Sequence, residues 1–243
     1  MPQARATLRT LTIGASLVLC SSQARAQVPE RFTNLQVLPK EMPRRDLVTT
    51  MRHWASALGV RCGHCHTGGN PDTLQGVDFA SDEKWEKRTA RAMFRMMKGV
   101  EADYLRQLEA RPVSATVPAE PALGLACATC HRGLRRPETL DAVLSRILES
   151  EGLDAALRSY EDLRGKYLGR GSYDFSERPL NTIAERLLAE KRSQEATRLL
   201  ELGARFNPDA AWLHHLLGDA RLAEGDRPGA LAAYERALVI EPE

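Results

Sequence analysis

Aromatic residues are scarce in this chain, with three Trp, five Tyr and five Phe among 243 residues. Ala, Leu, Arg and Glu dominate instead, a composition that favours helices over a sheet sandwich. No charge imbalance is present. The 34 basic and 32 acidic side chains leave a formal net charge of +2, which indicates neither a strongly basic nucleic-acid binder nor an acidic disordered tail. No long apolar run occurs. The best stretch, Leu11 to Cys20, has ten residues, about half of what spans a bilayer. The 13 Pro and 17 Gly are too few and too scattered for a low-complexity chain. No Gly-rich phosphate loop, nucleophile motif or basic stripe is found. The chain is long enough to bury one or two ordinary cores.

What is present begins with an address. Arg5 and Arg9 form a basic n-region ahead of the run Leu11 to Cys20, and Ala24-Arg25-Ala26 offers small residues where a signal peptidase reads. Residues 1–26 are therefore expected to be a cleaved signal, which places the mature chain in the periplasm. The alternative is a lipoprotein signal with Cys20 kept and acylated, although Leu19 is larger than the small residue expected before such a cysteine. Cleavage takes away three of the 34 basic residues (Arg5, Arg9 and Arg25) and none of the 32 acids, leaving a net charge of −1.

Five cysteines are present, and four of them form two identical constellations. The chain reads Cys62-Gly63-His64-Cys65-His66 and Cys127-Ala128-Thr129-Cys130-His131. Each is C-x-x-C-H, the attachment signature of c-type haem. Two thiols three apart on a helical turn can each add to one vinyl group of the same porphyrin, and the adjacent His offers an imidazole nitrogen to the iron. Two covalently bound haems follow, on Cys62 and Cys65 with His66, and on Cys127 and Cys130 with His131. A four-thiolate zinc site is the competing use, but 61 residues separate the pairs, where zinc ribbons keep about 15–20. Zinc also supplies no reason for a His after each second Cys. A redox-active dithiol would want a βαβ setting, which is not indicated.

The opposite iron positions need further ligands. Candidates are Met42, Met51, Met93, Met96 and Met97, with His53, His64, His214 and His215. Met51 precedes Cys62 by eleven residues on a helix expected over 46–58 that Gly59 stops. Met51 and His53 point to nearly opposite sides of that helix, and Met51 shares the Leu47/Leu58 face. A second helix is expected from Ser81 to about Leu108, with a stripe through Ala90, Met93, Phe94, Met97, Val100 and Tyr104. One of Met93, Met96 and Met97 should serve the second iron. The same residues can also be ordinary core filler.

Beyond Pro137 the cysteines end and helical patterns follow. A shift of 34 residues aligns Ala196 with Ala230, Leu200 with Tyr234, Gly203 with Ala237, Pro208 with Pro242 and Ala184 with Gly218. This resembles the tetratricopeptide repeat (TPR), whose small residues let paired helices approach and whose Pro ends each second helix. Glu151-Gly152-Leu153 and Tyr160 suggest a degenerate earlier pair. The expected organisation is a signal (1–26), a dihaem cytochrome c domain (27–137), a degenerate helical pair and linker (138–178) and two TPR-like repeats (179–243). The fold class is all-α: helix–turn–haem-helix units followed by a TPR-like α-α superhelical stack.

The first part resembles the photosynthetic reaction-centre cytochrome c subunit family. The matching residues are Met51, Ala57 through Cys62, Cys65-His66, Asp78 to Asp82, Arg88 to Met93, Tyr104-Leu105, Cys127 to Gly133 and Arg136-Pro137. In that family a helix carrying a Met ligand, a tight turn and a C-x-x-C-H helix form a repeated unit. The resemblance implies Met51 as the distal ligand of the first iron and Met93 as that of the second. Photosynthetic members carry four haems from two such pairs, whereas one pair stands here. Gln107 occupies the region where some members use a His for a distant haem. Together these features point to electron transfer between redox protein partners, with a membrane-bound electron-transfer complex as one docking target through the TPR-like region. A dihaem peroxidase or small-molecule oxidoreductase with one open iron is the alternative, and an assembly factor with structural haems a third. Neither nucleic acid nor a transmembrane segment is implied.

Overall fold

The computed structural model describes residues 28–109 and 124–242. The signal reading, Cys20 and the prolines Pro112, Pro118 and Pro121 lie outside them. The described residues hold ten α-helices and no β-sheet, with one isolated bridge between Thr67 and Asp78. No helix among the described residues is long and apolar enough to cross a membrane.

Helix α1 (Arg44–Leu58) starts two residues before the expected position, because the Pro43 carbonyl already accepts the N–H groups of Asp46 and Leu47. It ends at Gly59 in the left-handed region, φ 65°. A short 3₁₀ turn, Cys62–His64, follows at once.

Helix α2 (Trp85–Val100) differs more from expectation. It begins four residues later than Ser81, because the residues before it are engaged otherwise. Asp78 accepts from the N–H groups of Ala80 and Ser81, and the carbonyls of Phe79, Ala80 and Ser81 all accept from Lys87 Nζ. Beyond Val100 the helix widens into a π turn, Glu101–Leu105, before α3 (Arg106–Glu109). The π turn adds a residue to the cycle and rotates the expected stripe. Tyr104 is accordingly 67% exposed rather than packed. The inward face of α2 carries Lys87, Ala90, Arg91 and Phe94. Helix α4 is the short Cys127–His131 segment itself.

The remaining helices form three consecutive pairs: α5 (Leu140–Glu151) with α6 (Leu153–Tyr167), α7 (Arg178–Ala189) with α8 (Ser193–Phe206), and α9 (Ala211–Ala223) with α10 (Arg227–Ile240). This arrangement is consistent with a TPR-like stack. α8 and α10 are offset by the 34 residues of the sequence repeat. One apolar core runs through all three pairs, from Leu140, Leu144 and Leu148 through Tyr160, Leu187 and Leu200 to Leu213 and Ala233. The small residues sit where helices meet. A Cβ on Gly218 would lie 2.4 Å from the Tyr234 ring, and one on Gly203 would lie 2.7 Å from Leu213 Cδ1. On α10, Leu231, Leu238 and Val239 are 59, 59 and 72% exposed.

Candidate functional site

The first constellation is set by the end of α1. The left-handed Gly59 lets Val60 N–H return to the Ala55 carbonyl at 2.9 Å, and the chain doubles back. Cys62, Cys65 and His66 thereby border the same cavity as Met51, together with Leu47 and Phe79. The cavity measures about 270 Å³ and is closed on one side by the arm Val28–Leu38. His53, two residues from Met51, faces a different cavity.

His66 is half-buried, and its pKa is pushed down to about 4. Burial is the main cause, followed by the positive charges of Lys87, Lys84 and Arg91. The imidazole is neutral at physiological pH, the form that ligates a metal. Its Nδ1 is buried with no hydrogen-bond partner among the described residues, and the Phe79 ring meets it edge-on at 5.0 Å. Burial, with Glu86 second, pushes the Cys65 thiol up. This is the reverse of the thiolate that dithiol exchange requires.

Asp82 holds the wall of this cavity together. Its carboxylate accepts from Arg91 Nη1 at 2.7 Å, Asn34 Nδ2 at 2.9 Å and Gln36 Nε2 at 3.0 Å, with Lys87 Nζ at 3.2 Å. The N-terminal arm, the 78–82 loop and α2 meet at this one side chain. Arg91, with Asn34 and Lys87, holds the Asp82 carboxyl well below the usual carboxylate range. A carboxyl depressed in the folded state contributes stability above its unfolded pKa and loses it as pH falls through the folded value. Asp82→Asn is therefore expected to lower the guanidinium midpoint at pH 7, with the gap to the parent narrowing as the pH drops below about 4. A gap that does not change with pH would show that the carboxylate charge is not the clamp.

The second constellation lies on α4. The Thr129 hydroxyl accepts from Ala126 N–H at 3.0 Å and fixes the helix start; Arg132, left-handed at φ 46°, ends it. His131 Nδ1 lies 2.8 Å from the Leu134 carbonyl. A carbonyl can only accept, so Nδ1 is the donor, which leaves Nε2 as the ring nitrogen that can ligate a metal. Cys127 borders a second cavity of about 750 Å³, shared with His53, Trp54 and Met97. Cys130 is exposed, and neither it nor His131 borders that cavity. Burial pushes the Cys127 thiol up.

The methionine stripe divides. Met97 borders the second cavity, whereas Met93, 40% exposed, and Met96, 54% exposed, border neither. Met42 and His64 border neither cavity. His214 and His215 lie in the repeats, with His214 Nε2 3.0 Å from the Pro208 carbonyl and His215 stacked on Trp212 at 4.8 Å. Gln107 bonds the Asp103 carbonyl on its own helix.

The first cavity, which gathers Met51, Cys62, Cys65 and His66, suits an apolar group with carboxylate tails; the second has a similar lining, although of the Cys127–His131 segment only Cys127 and Ala128 border it. Their walls are largely apolar, and neither lining contains an Asp or Glu. Arg31, Arg52, Arg61, Lys87 and Arg91 border the first, and Arg132 and Arg170 the second. Cys62 and Cys65 border the first cavity and Cys127 the second, and no three His, Cys, Asp or Glu side chains among the described residues converge on one position.

Three features were not anticipated from the sequence. Trp54 borders both cavities and packs on Phe94 at 5.1 Å, so it separates the two sites. Lys87 and Arg91 are buried cations; their i, i+4 spacing on the Ala90/Phe94 face, with Asp82 upstream, was the available signal. Tyr167, Arg170 and Ser172 reach the second cavity from beyond the cysteine region, and no local pattern marks them.

Comparison with known proteins supports a cytochrome reading. The family model described as photosynthetic reaction centre cytochrome C subunit matches residues 21–147. Cytochrome c-554 of Chloroflexus aurantiacus is 31% identical over 131 residues, covering 54% of this chain and 27% of its own length. The chain thus spans about a quarter of that relative. No solved structure matches it. The family model covers more than half of the chain and carries both cysteine pairs. The chain belongs to the photosynthetic reaction-centre cytochrome c subunit family, an association with electron-transfer cytochromes rather than with catalysts.

Proposed function

We propose that this chain is a periplasmic dihaem c-type cytochrome that passes electrons between protein partners. The observation that carries the reading is the convergence of Met51, Cys62, Cys65 and His66 on one cavity with cationic, acid-free walls. When bound, each haem supplies a one-electron Fe(III)/Fe(II) couple. The remaining work belongs to the chain. Cys62 and Cys65 hold one porphyrin by thioether bonds, and Cys127 and Cys130 the other. His66 and His131 would each offer an imidazole nitrogen to an iron. His131 is oriented by its bond to Leu134, and His66 is kept unprotonated by burial and its cationic neighbours.

Met51 provides the distal thioether of the first site. Met93 provides that of the second, on its match to the family pattern; Met97 is the competing ligand, because it borders the cavity that Cys127 borders. The domain organisation in this reading is a signal over 1–26, the haem module over 27–137, a helical pair with a linker over 138–178, and two TPR-like repeats over 179–243. The stack is the docking face for a redox partner, a membrane-bound electron-transfer complex being one such target.

A methionine thioether opposite histidine raises the reduction potential. Met51→Leu is therefore expected to lower the midpoint of one haem and leave the other unchanged in a spectroelectrochemical titration. Met93→Leu should lower the midpoint of the second haem, with Met97→Leu without effect on it. The reverse pattern would transfer the ligand to Met97. Unchanged potentials and spectra in all three variants would remove methionine from both sites. A purified mature protein whose intact mass lacks two haems would overturn the reading as a whole.

A further inference from the structure

The second cavity is closed by a part of the chain that the family match does not reach. The match ends at residue 147, yet Tyr167, the last residue of α6, and Arg170 and Ser172, in the turn between α6 and α7, border the cavity that Cys127 borders. The connection is built rather than incidental. Ser172 is 2% exposed, and its Oγ donates to the Arg132 carbonyl at 2.6 Å. The next residue, Gly133, donates its N–H to the Ala57 carbonyl at 2.8 Å. The backbone at Arg132 is thus held from one side by α1 and from the other by the α6–α7 turn.

Two arginines border this cavity. The Arg132 and Arg170 side chains are exposed, and neither makes an ion pair or side-chain hydrogen bond among the described residues. In the repeats, Arg186, Arg192, Arg198, Arg205, Arg221 and Arg236 each hold a carboxylate, and Arg158, Arg178 and Arg227, which hold none among the described residues, border neither cavity. The second cavity offers no carboxylate, since its lining has no Asp or Glu and adds only His53 to the two cations. Two guanidinium groups without an internal partner, bordering a largely apolar cavity that holds no acid, are suited to carboxylates brought by a ligand.

We propose that Arg132 and Arg170 form a carboxylate-binding site, so that the α6–α7 turn completes the second cavity of the haem module. The carboxylates come from one of two sources, the propionates of the haem attached at Cys127 or a free small dicarboxylate. The first source rests on the reading of Cys127–His131 as a haem site; the second does not.

The test uses the full-length matured protein, its haem content established by intact mass, with Arg170→Gln and Arg170→Lys beside it. Both midpoint potentials are measured, and succinate binding is followed by calorimetry. A cation beside the haem favours the reduced state, which carries one more electron. With propionates as the ligand, Arg170→Gln lowers the potential of one haem and leaves the other. Arg170→Lys, which keeps the charge, retains most of the parent value, and succinate does not bind. With a free dicarboxylate as the ligand, succinate binds the parent saturably, its binding is lost in Arg170→Gln, and both potentials stay in place. Two haems with unmoved potentials and no succinate binding would overturn the proposal while leaving the dihaem reading standing. A mass without haem would remove that reading, and succinate binding alone would then decide the site.

Discussion

Replacing Cys62 and Cys65 together by serine is expected to remove one haem from the mature protein and leave the other. Replacing Cys127 and Cys130 should do the same for the second haem. The intact mass of each variant should fall by one porphyrin, and the visible spectrum should lose close to half its haem absorbance. The expectation rests on the separation of the pairs: Cys62 and Cys65 border one cavity, Cys127 borders the other, and Trp54 lies between the two. Each thiol pair has its own histidine, His66 in one site and His131 in the other, and no side chain of one constellation completes the other. Loss of both haems in either variant would mean that the two sites assemble as a unit. Retention of both would take the cysteines out of haem attachment altogether. The serine variants preserve size and polarity at positions that are not fully buried, so a general failure to fold is not the anticipated outcome. Circular dichroism of the repeats, which have their own core, reports on that directly.

Gly59→Ala should have the largest effect on stability of any single methyl addition in the haem module. Gly59 has φ 65°, and a Cβ built there lies 2.1 Å from the Gly133 carbonyl oxygen. Left-handed backbone costs an alanine about 1–2 kcal/mol. Here the methyl also meets backbone, which cannot rotate aside as a side chain does. Gly59 ends α1 three residues before Cys62, and Gly133 follows Arg132 at the end of α4. Their contact sets how the two constellations lie relative to each other. A loss of more than about 2 kcal/mol is expected in guanidinium unfolding, with reduced haem incorporation at both sites. Gly169→Ala is the control. Gly169 has φ 75° with nothing within 4 Å of the added carbon, so it carries a positive-φ cost without the contact. Equal losses in the two variants would show that the approach of Gly59 to Gly133 carries no weight.

Features that are local or periodic were legible in the residues alone. Both C-x-x-C-H constellations and α1 could be read without coordinates, since their physics operates within a few turns of chain. The 34-residue offset between α8 and α10 and the small residues at Gly203 and Gly218 were equally legible, because each helix pair repeats one packing solution. The pairing of Met51 with Cys62, Cys65 and His66 on one cavity follows from a short connection and a glycine that reverses the chain.

Tertiary structure decided what depends on residues far apart in the chain. The start of α2 moved because Lys87 and Arg91 draw the 78–82 loop and the arm at Asn34 onto Asp82, over separations of up to 57 residues. The face of α2 beyond Val100 turned because a π turn adds a residue, which a 3.6-residue period does not contain. Only the packed chain shows that Met97 borders the cavity of Cys127 while Met93 borders neither, or that Trp54 stands between the two sites. The placement of Arg170 and Ser172 is the furthest from the sequence, for Ser172 meets Arg132 across 40 residues and Arg170 borders the same cavity as Arg132. Local pattern names the groups that can hold a cofactor. The closing of long loops, driven by buried area and by charges that must find partners, determines which of them face it.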